Sequence, residues 1–149
     1  MKPFLLALFT LTLLFACTKS TKKMFKNIAK YETVQLFVID EFATAPEEQN
    51  ANETYLLDYQ IFNQITLTDS QQINIKSFVT NSENYTDKMA RTCPFIGQFG
   101  LSFTQNGKVV RMIVGHKNCP KCLVSDNELE DGKILDFLDG GFVVQLSTY

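Results

Sequence analysis

Gly100-Leu101-Ser102-Phe103-Thr104-Gln105-Asn106-Gly107-Lys108-Val109-Val110-Arg111-Met112-Ile113-Val114-Gly115 sets two apolar, β-branched and aromatic runs around an Asn-Gly pair. Asn-Gly favours a type I′ turn, because both central residues need positive φ. The stretch therefore predicts an antiparallel hairpin. If Asn106 and Gly107 are the two turn residues, position 93 lies opposite position 120. That places Cys93 at the open end of the hairpin, against Cys119-Pro120-Lys121-Cys122, with His116 three residues before Cys119. Pro94 and Pro120 cannot donate to a ladder, so regular pairing should fray before this point.

Three chemistries fit this cluster. The first is a structural disulfide from Cys93 to Cys119 or Cys122, which leaves one thiol over. The second is zinc held by Cys93, His116, Cys119 and Cys122, three sulfurs and one nitrogen in a tetrahedral set. The third is thiol–disulfide exchange at Cys119 and Cys122, with Lys117, Lys121, Arg91 and His116 favouring thiolate. A thioredoxin-like site needs its Cys-x-x-Cys to open a helix after a parallel strand, and Leu123-Val124-Ser125-Asp126-Asn127 is a poor helix start. No third residue can be picked out to orient a Cys–His hydrolase.

Further upstream, Thr33 to Ile39 predicts a strand, and Asp40 to Thr54, with Pro46 and several acids, an exposed loop. Tyr55 to Leu67 alternates imperfectly and predicts one strand with a break near Asn63. Thr68 or Asp69 can cap a helix running to about Thr80, with Gln71 or Gln72 near the capping-box position and Ile73, Phe78 and Val79 turned inward. Downstream, Asp131-Gly132 signals a turn and Gly140-Gly141 a break. The pattern leaves the end of the chain open between helix and strand. The fold class is α+β: a small antiparallel sheet including the Asn106-Gly107 hairpin, with one or two packed helices.

The 149 residues allow one domain, or one domain plus a targeting segment, and 45% apolar content is too high for a disordered chain. A single His forbids the paired-His zinc protease motif. There is no phosphate loop, dinucleotide fingerprint or G-x-S-x-G elbow. Charge is unevenly spread. Thr18 to Lys30 holds five lysines and no acid, whereas Tyr31 to Ile75 holds eight acids and no Lys or Arg. From Lys76 to Lys121 the sign reverses, a pattern of internal complementarity or a solvated surface, with no nucleic-acid partner implied. Asp136 and Asp139 are spaced to pair, but a solvated face is the simpler reading. Asn52-Glu53-Thr54 and Asn84-Tyr85-Thr86 fit the glycosylation triplet. Phe95, Phe99 and Phe103 fit core or hairpin-end packing better than a ligand box.

The N-terminus reads as an address. Lys2 precedes an apolar run from Phe4 to Phe15, broken only by Thr10 and Thr12. The run is shorter than the roughly 20 residues of a membrane span and suits a signal-peptide core. It ends in Leu14-Phe15-Ala16-Cys17, which resembles the lipobox of bacterial lipoproteins. That resemblance implies a signal peptide over 1–16 and acyl chains on Cys17, with several chains giving a stable membrane anchor. Residues 17–31 then form a lipid-anchored basic linker, and 32–149 a single globular domain. Thr18 rather than Asp follows the cysteine, which in enteric-type sorting implies the outer membrane, facing periplasm or surface. From Leu67 onward, Leu67-Thr68-Asp69-Ser70-Gln71-Gln72, Asn84-Tyr85, Cys93-Pro94-Phe95, Phe103, Asn106-Gly107 and Cys119-x-x-Cys122 resemble small cysteine-containing bacterial lipoproteins. That group implies an anchored α+β domain and no catalytic residues. The expectation is an envelope protein with a non-enzymatic binding or structural role, partnered by the membrane and by an envelope protein or ligand.

Overall fold

The structure, a computed structural model, describes residues 25–86, 92–126 and 132–149. The expected signal peptide and the acylated Cys17 lie outside the described residues, as do Arg91 and the Asp131 half of the second turn signal. Asn106 and Gly107 both adopt positive φ, 48° and 78°, and join β5 (Gly97–Gln105) to β6 (Lys108–Gly115). Pairing starts at Gln105 opposite Lys108 and runs to Phe99 opposite Val114. One residue is then skipped, so that Gly97 faces Gly115 and Gln98 forms a bulge.

The sheet grows from this hairpin in both directions. On one side β7 (Lys121–Asp126) and β8 (Lys133–Phe137) continue the meander, and β4 (Tyr85–Thr86) closes the edge against β8. On the other side β1 (Thr33–Ala43) pairs with β5, followed by β3 (Tyr59–Ile65) and β2 (Tyr55–Leu56). The architecture is mixed α+β on an antiparallel sheet of order β2-β3-β1-β5-β6-β7-β8-β4. With eight strands among the described residues it is larger than the small sheet expected.

Several local expectations change. The break between β2 and β3 falls at Leu57-Asp58, whose φ values of 49° and 67° make a tight turn without glycine. Near Asn63 the strand bulges instead: Val38 faces Asn63 but Ile39 faces Ile61. β1 runs on to Ala43, into the expected loop, and Pro46–Glu48 makes a single 3-10 turn.

The helix at 69 is α1 (Asp69–Thr80), and its capping box is complete. Gln71 N–H donates to Thr68 Oγ1 at 3.3 Å, and Thr68 N–H donates to Gln71 Oε1 at 2.8 Å. Its buried stripe is Ile75 and Val79 with Phe78 beside them, while Ile73 is 61% exposed. Ile73 and Phe78 are five residues apart, and a 3.6-residue turn carries them to different faces. The open C-terminal end resolves into a short helix, α2 (Gly141–Leu146), burying Phe142, Val143 and Leu146.

The helices share one face of the sheet. Leu36, Leu101, Phe103 and Met112 from the strands meet Ile75 and Leu146 in the main core. The Phe78 and Phe142 rings stack at 4.1 Å, with Phe137 edge-on to both. Residues 25–28 are helical, and Phe25, Ile28 and Tyr31 join this core, Phe25 stacking on Tyr85 at 4.7 Å. The packed body thus takes in residues 25–31, which lie within the expected linker. On the opposite face the β2–β3 turn folds over the sheet. Leu56 lies over Gly100, where a Cβ would sit 2.5 Å from its Cδ2, and Tyr59 meets Phe95 edge-on at 6.3 Å.

Thr68→Ala removes one partner of the box and is expected to lower stability by about 0.5–2 kcal/mol, with Gln71→Ala adding little more in the same background. Urea denaturation of the single and double variants measures both.

Candidate functional site

The open end of the β5–β6 hairpin is built by the bulge at Gln98. Beyond it, His116 N–H donates to Ile96 O at 3.0 Å, so the chain from Cys93 to Ile96 stays beside the turn that follows β6. That turn is closed by Cys119 N–H donating to His116 O at 2.8 Å. Pro120 then reverses the chain. Lys121 N–H donates to Cys119 O at 2.8 Å, and Pro120 O accepts from Phe137 N–H at 2.8 Å. Proline cannot donate here, but its carbonyl still ties the turn to β8.

Cys93 and Cys119 form a disulfide across this junction, with Cα atoms 6.1 Å apart and a sequence separation of 26. The one-residue shift is in the direction of this partner, although ladder pairing itself ends at Gly97 and Gly115. An unbroken ladder would put position 93 opposite 120, and the bulge moves it to 119. The tie is reinforced by Lys121, whose Nζ donates to Cys93 O at 3.0 Å.

Cys122 goes elsewhere. It lies on β7 between Val114 and Leu135, on the helix face, with no solvent exposure and no disulfide. Only Pro120 and Lys121 separate it from Cys119, but the turn ends between them and strand alternation points Cys122 into the core. Burial pushes its thiol pKa far above the usual range; the nearby Asp136 charge adds to this, and a backbone hydrogen bond with Leu135 partly offsets it. Tyr85, half-buried against the core, is pushed up by desolvation first and by Cys122 second, and its hydroxyl donates to Val79 O at 2.9 Å.

The four residues singled out from sequence are therefore divided. Cys93 and Cys119 are bonded to each other. His116 lies in the same turn, its Nδ1 accepting from Asn118 N–H at 3.2 Å. Cys122 belongs to the core. Among the described residues no group of three or more His, Cys, Asp or Glu is arranged to hold a metal ion. Asp136 and Asp139 do not act as a pair. Asp139 Oδ1 accepts from Gly141 N–H at 2.8 Å at the start of α2, whereas Asp136 Oδ1 is buried in β8 with no hydrogen-bond partner among the described residues. That buried carboxylate oxygen, and the similarly unpartnered Gln98 Oε1, had no sequence signal, since both depend on where strand register places them.

Gly140 holds the far side of the same end. A Cβ there would lie 2.6 Å from Lys117 O, a backbone atom, so the turn and the entrance to α2 are in direct contact. No family model, curated protein or solved structure matches the chain.

An impermeant maleimide is expected to leave Cys122 unlabelled in the native protein and to label it after denaturation. Reducing the Cys93–Cys119 bond should cost about 2–4 kcal/mol in denaturant titrations. The native thiol of Cys122 keeps its proton where an unfolded one, with a pKa of about 8.5, loses it. Above that pH the native state binds more protons than the unfolded state, so stability is fully present at neutral pH and falls as pH rises. The expected slope approaches about 1.36 kcal/mol per pH unit for each such group. Cys122→Val should reduce this alkaline loss while costing under about 1.5 kcal/mol at neutral pH. Denaturation curves between neutral and alkaline pH check both.

Proposed function

We propose that the chain is a lipid-anchored cell-envelope protein whose folded domain is a non-enzymatic binding or structural module. In this reading residues 1–16 are a signal peptide and Cys17 carries the acyl chains. The domain, a hairpin-built sheet with helices on one face, is held at the outer membrane, facing periplasm or surface. Its partners are the membrane and an envelope protein or ligand. The observation that carries the reading is the division of the four cysteines. Cys17 stands behind an apolar run in a lipobox-like Leu14-Phe15-Ala16-Cys17, and Cys93 and Cys119 are joined in the bond that an oxidising compartment preserves.

The condition of Cys122 favours a module over thiol–disulfide exchange. An exchanging thiol needs a lowered pKa and access to its target, and Cys122 has a raised pKa and no exposed surface. Zinc binding at Cys93, His116, Cys119 and Cys122 would first require opening the Cys93–Cys119 bond, since metal coordination uses thiolates.

The test is mass spectrometry of the full chain expressed in a bacterium that processes lipoproteins. Loss of residues 1–16 and an acyl mass on Cys17 are expected, with both lost in Cys17→Ser. An intact Met1 on an unacylated protein overturns the reading.

A further inference from the structure

The outer edge of β3 is only partly used. β2 pairs with Tyr59 and Gln60, and Ile61 N–H donates to Thr54 O at 2.8 Å. Beyond that, Phe62 to Ile65 have a strand neighbour on the β1 side alone among the described residues. Exposed strand edges are usually protected by charge, proline or strong irregularity. Here Tyr59 to Thr68 contains no charged residue and no proline, although the strand bulges at Phe62. Asn63 and Gln64 are exposed, and Phe62 is 60% exposed.

The surroundings select the occupant. The uncharged edge runs between Asp58 and Asp69, inside the 31–75 segment that carries eight acids and no Lys or Arg. Glu53 and Asp58 are partnered by neutral groups, Tyr55 hydroxyl at 2.7 Å and Gln49 Nε2 at 2.9 Å, with no cation beside either among the described residues. A second copy pairing through this same edge would bring like charge to like charge. An extended cationic segment meets opposite charge at both ends of the edge.

We propose that β3 binds an extended, lysine- or arginine-bearing segment of a partner protein, which adds to the sheet as a further strand. Main-chain hydrogen bonds along Phe62 to Ile65 supply the affinity, Phe62 an apolar contact, and the acidic flanks the preference for positive charge. This deepens the reading of the domain as a binding module by naming its partner chemistry. It does not depend on Cys17, so the acylation experiment and this one fail separately.

The test uses the full chain and a synthetic peptide of about eight residues alternating lysine and valine, a length suited to one strand. Binding should slow amide exchange at Phe62 to Ile65, and it should weaken as salt shortens the Debye length from about 10 Å at 0.1 M to about 3 Å at 1 M. The same peptide with glutamate for lysine should not bind. The double variant Asn63→Lys, Gln64→Lys changes two exposed side chains and should weaken binding by about tenfold or more, with circular dichroism unchanged. No binding of the lysine peptide, protection confined to other strands, or a concentration-dependent dimer through this edge overturns the proposal.

Discussion

The pairing of β1 with β5 joins the two halves of the chain. Leu36 faces Leu101, Val34 faces Phe103 and Val38 faces Phe99; these side chains belong to the main core, with Val38 partly buried at its margin. β5 to β8 is a meander whose contacts are local in sequence, and β1 to β3 is a second local unit. Among the described residues only the β1–β5 ladder makes them one sheet, at the entropic cost of closing a loop of some sixty residues. α1 can bury Ile75 and Val79 only because that ladder brings both units' apolar faces into one plane.

What the sequence disclosed follows from how local the determinants are. Asn106-Gly107 and Thr68-x-x-Gln71 specify backbone conformation within a few residues, so the hairpin turn and the start of α1 were legible. The turn at Leu57-Asp58 was not, because a leucine at positive φ is held there by Leu56 and Tyr59 packing over the sheet, a tertiary effect. α2 is only six residues long, and its burial on Phe78 and Phe137 decides its form more than its own propensity.

The cysteine cluster shows the same boundary. Hairpin arithmetic places Cys93 beside Cys119-Pro120-Lys121-Cys122, but the choice between the two thiols rests on Cys119 staying in the turn while Cys122 enters β7. Strand alternation then gave the remaining thiol a different environment altogether. Cys119 fastens the turn at the rim, and Cys122 fills space between Val114 and Leu135. Their closeness in sequence says little about their closeness in role.

β1 has a mechanical consequence. It starts beside Thr104, next to the Asn106-Gly107 turn, and ends near Gly97, where the disulfide, Lys117 and the entrance to α2 gather. It is flanked on both sides, by β3 and by β5. A pull on the chain just before Thr33, resisted at the C-terminal helix, runs along the strand and across the hydrogen bonds of two ladders, which lie perpendicular to it. Those bonds carry the load together, in shear, instead of parting one at a time. Between Thr33 and the C-terminal helix, β1 is thus loaded in shear, once residues 25–31 have been pulled from the core.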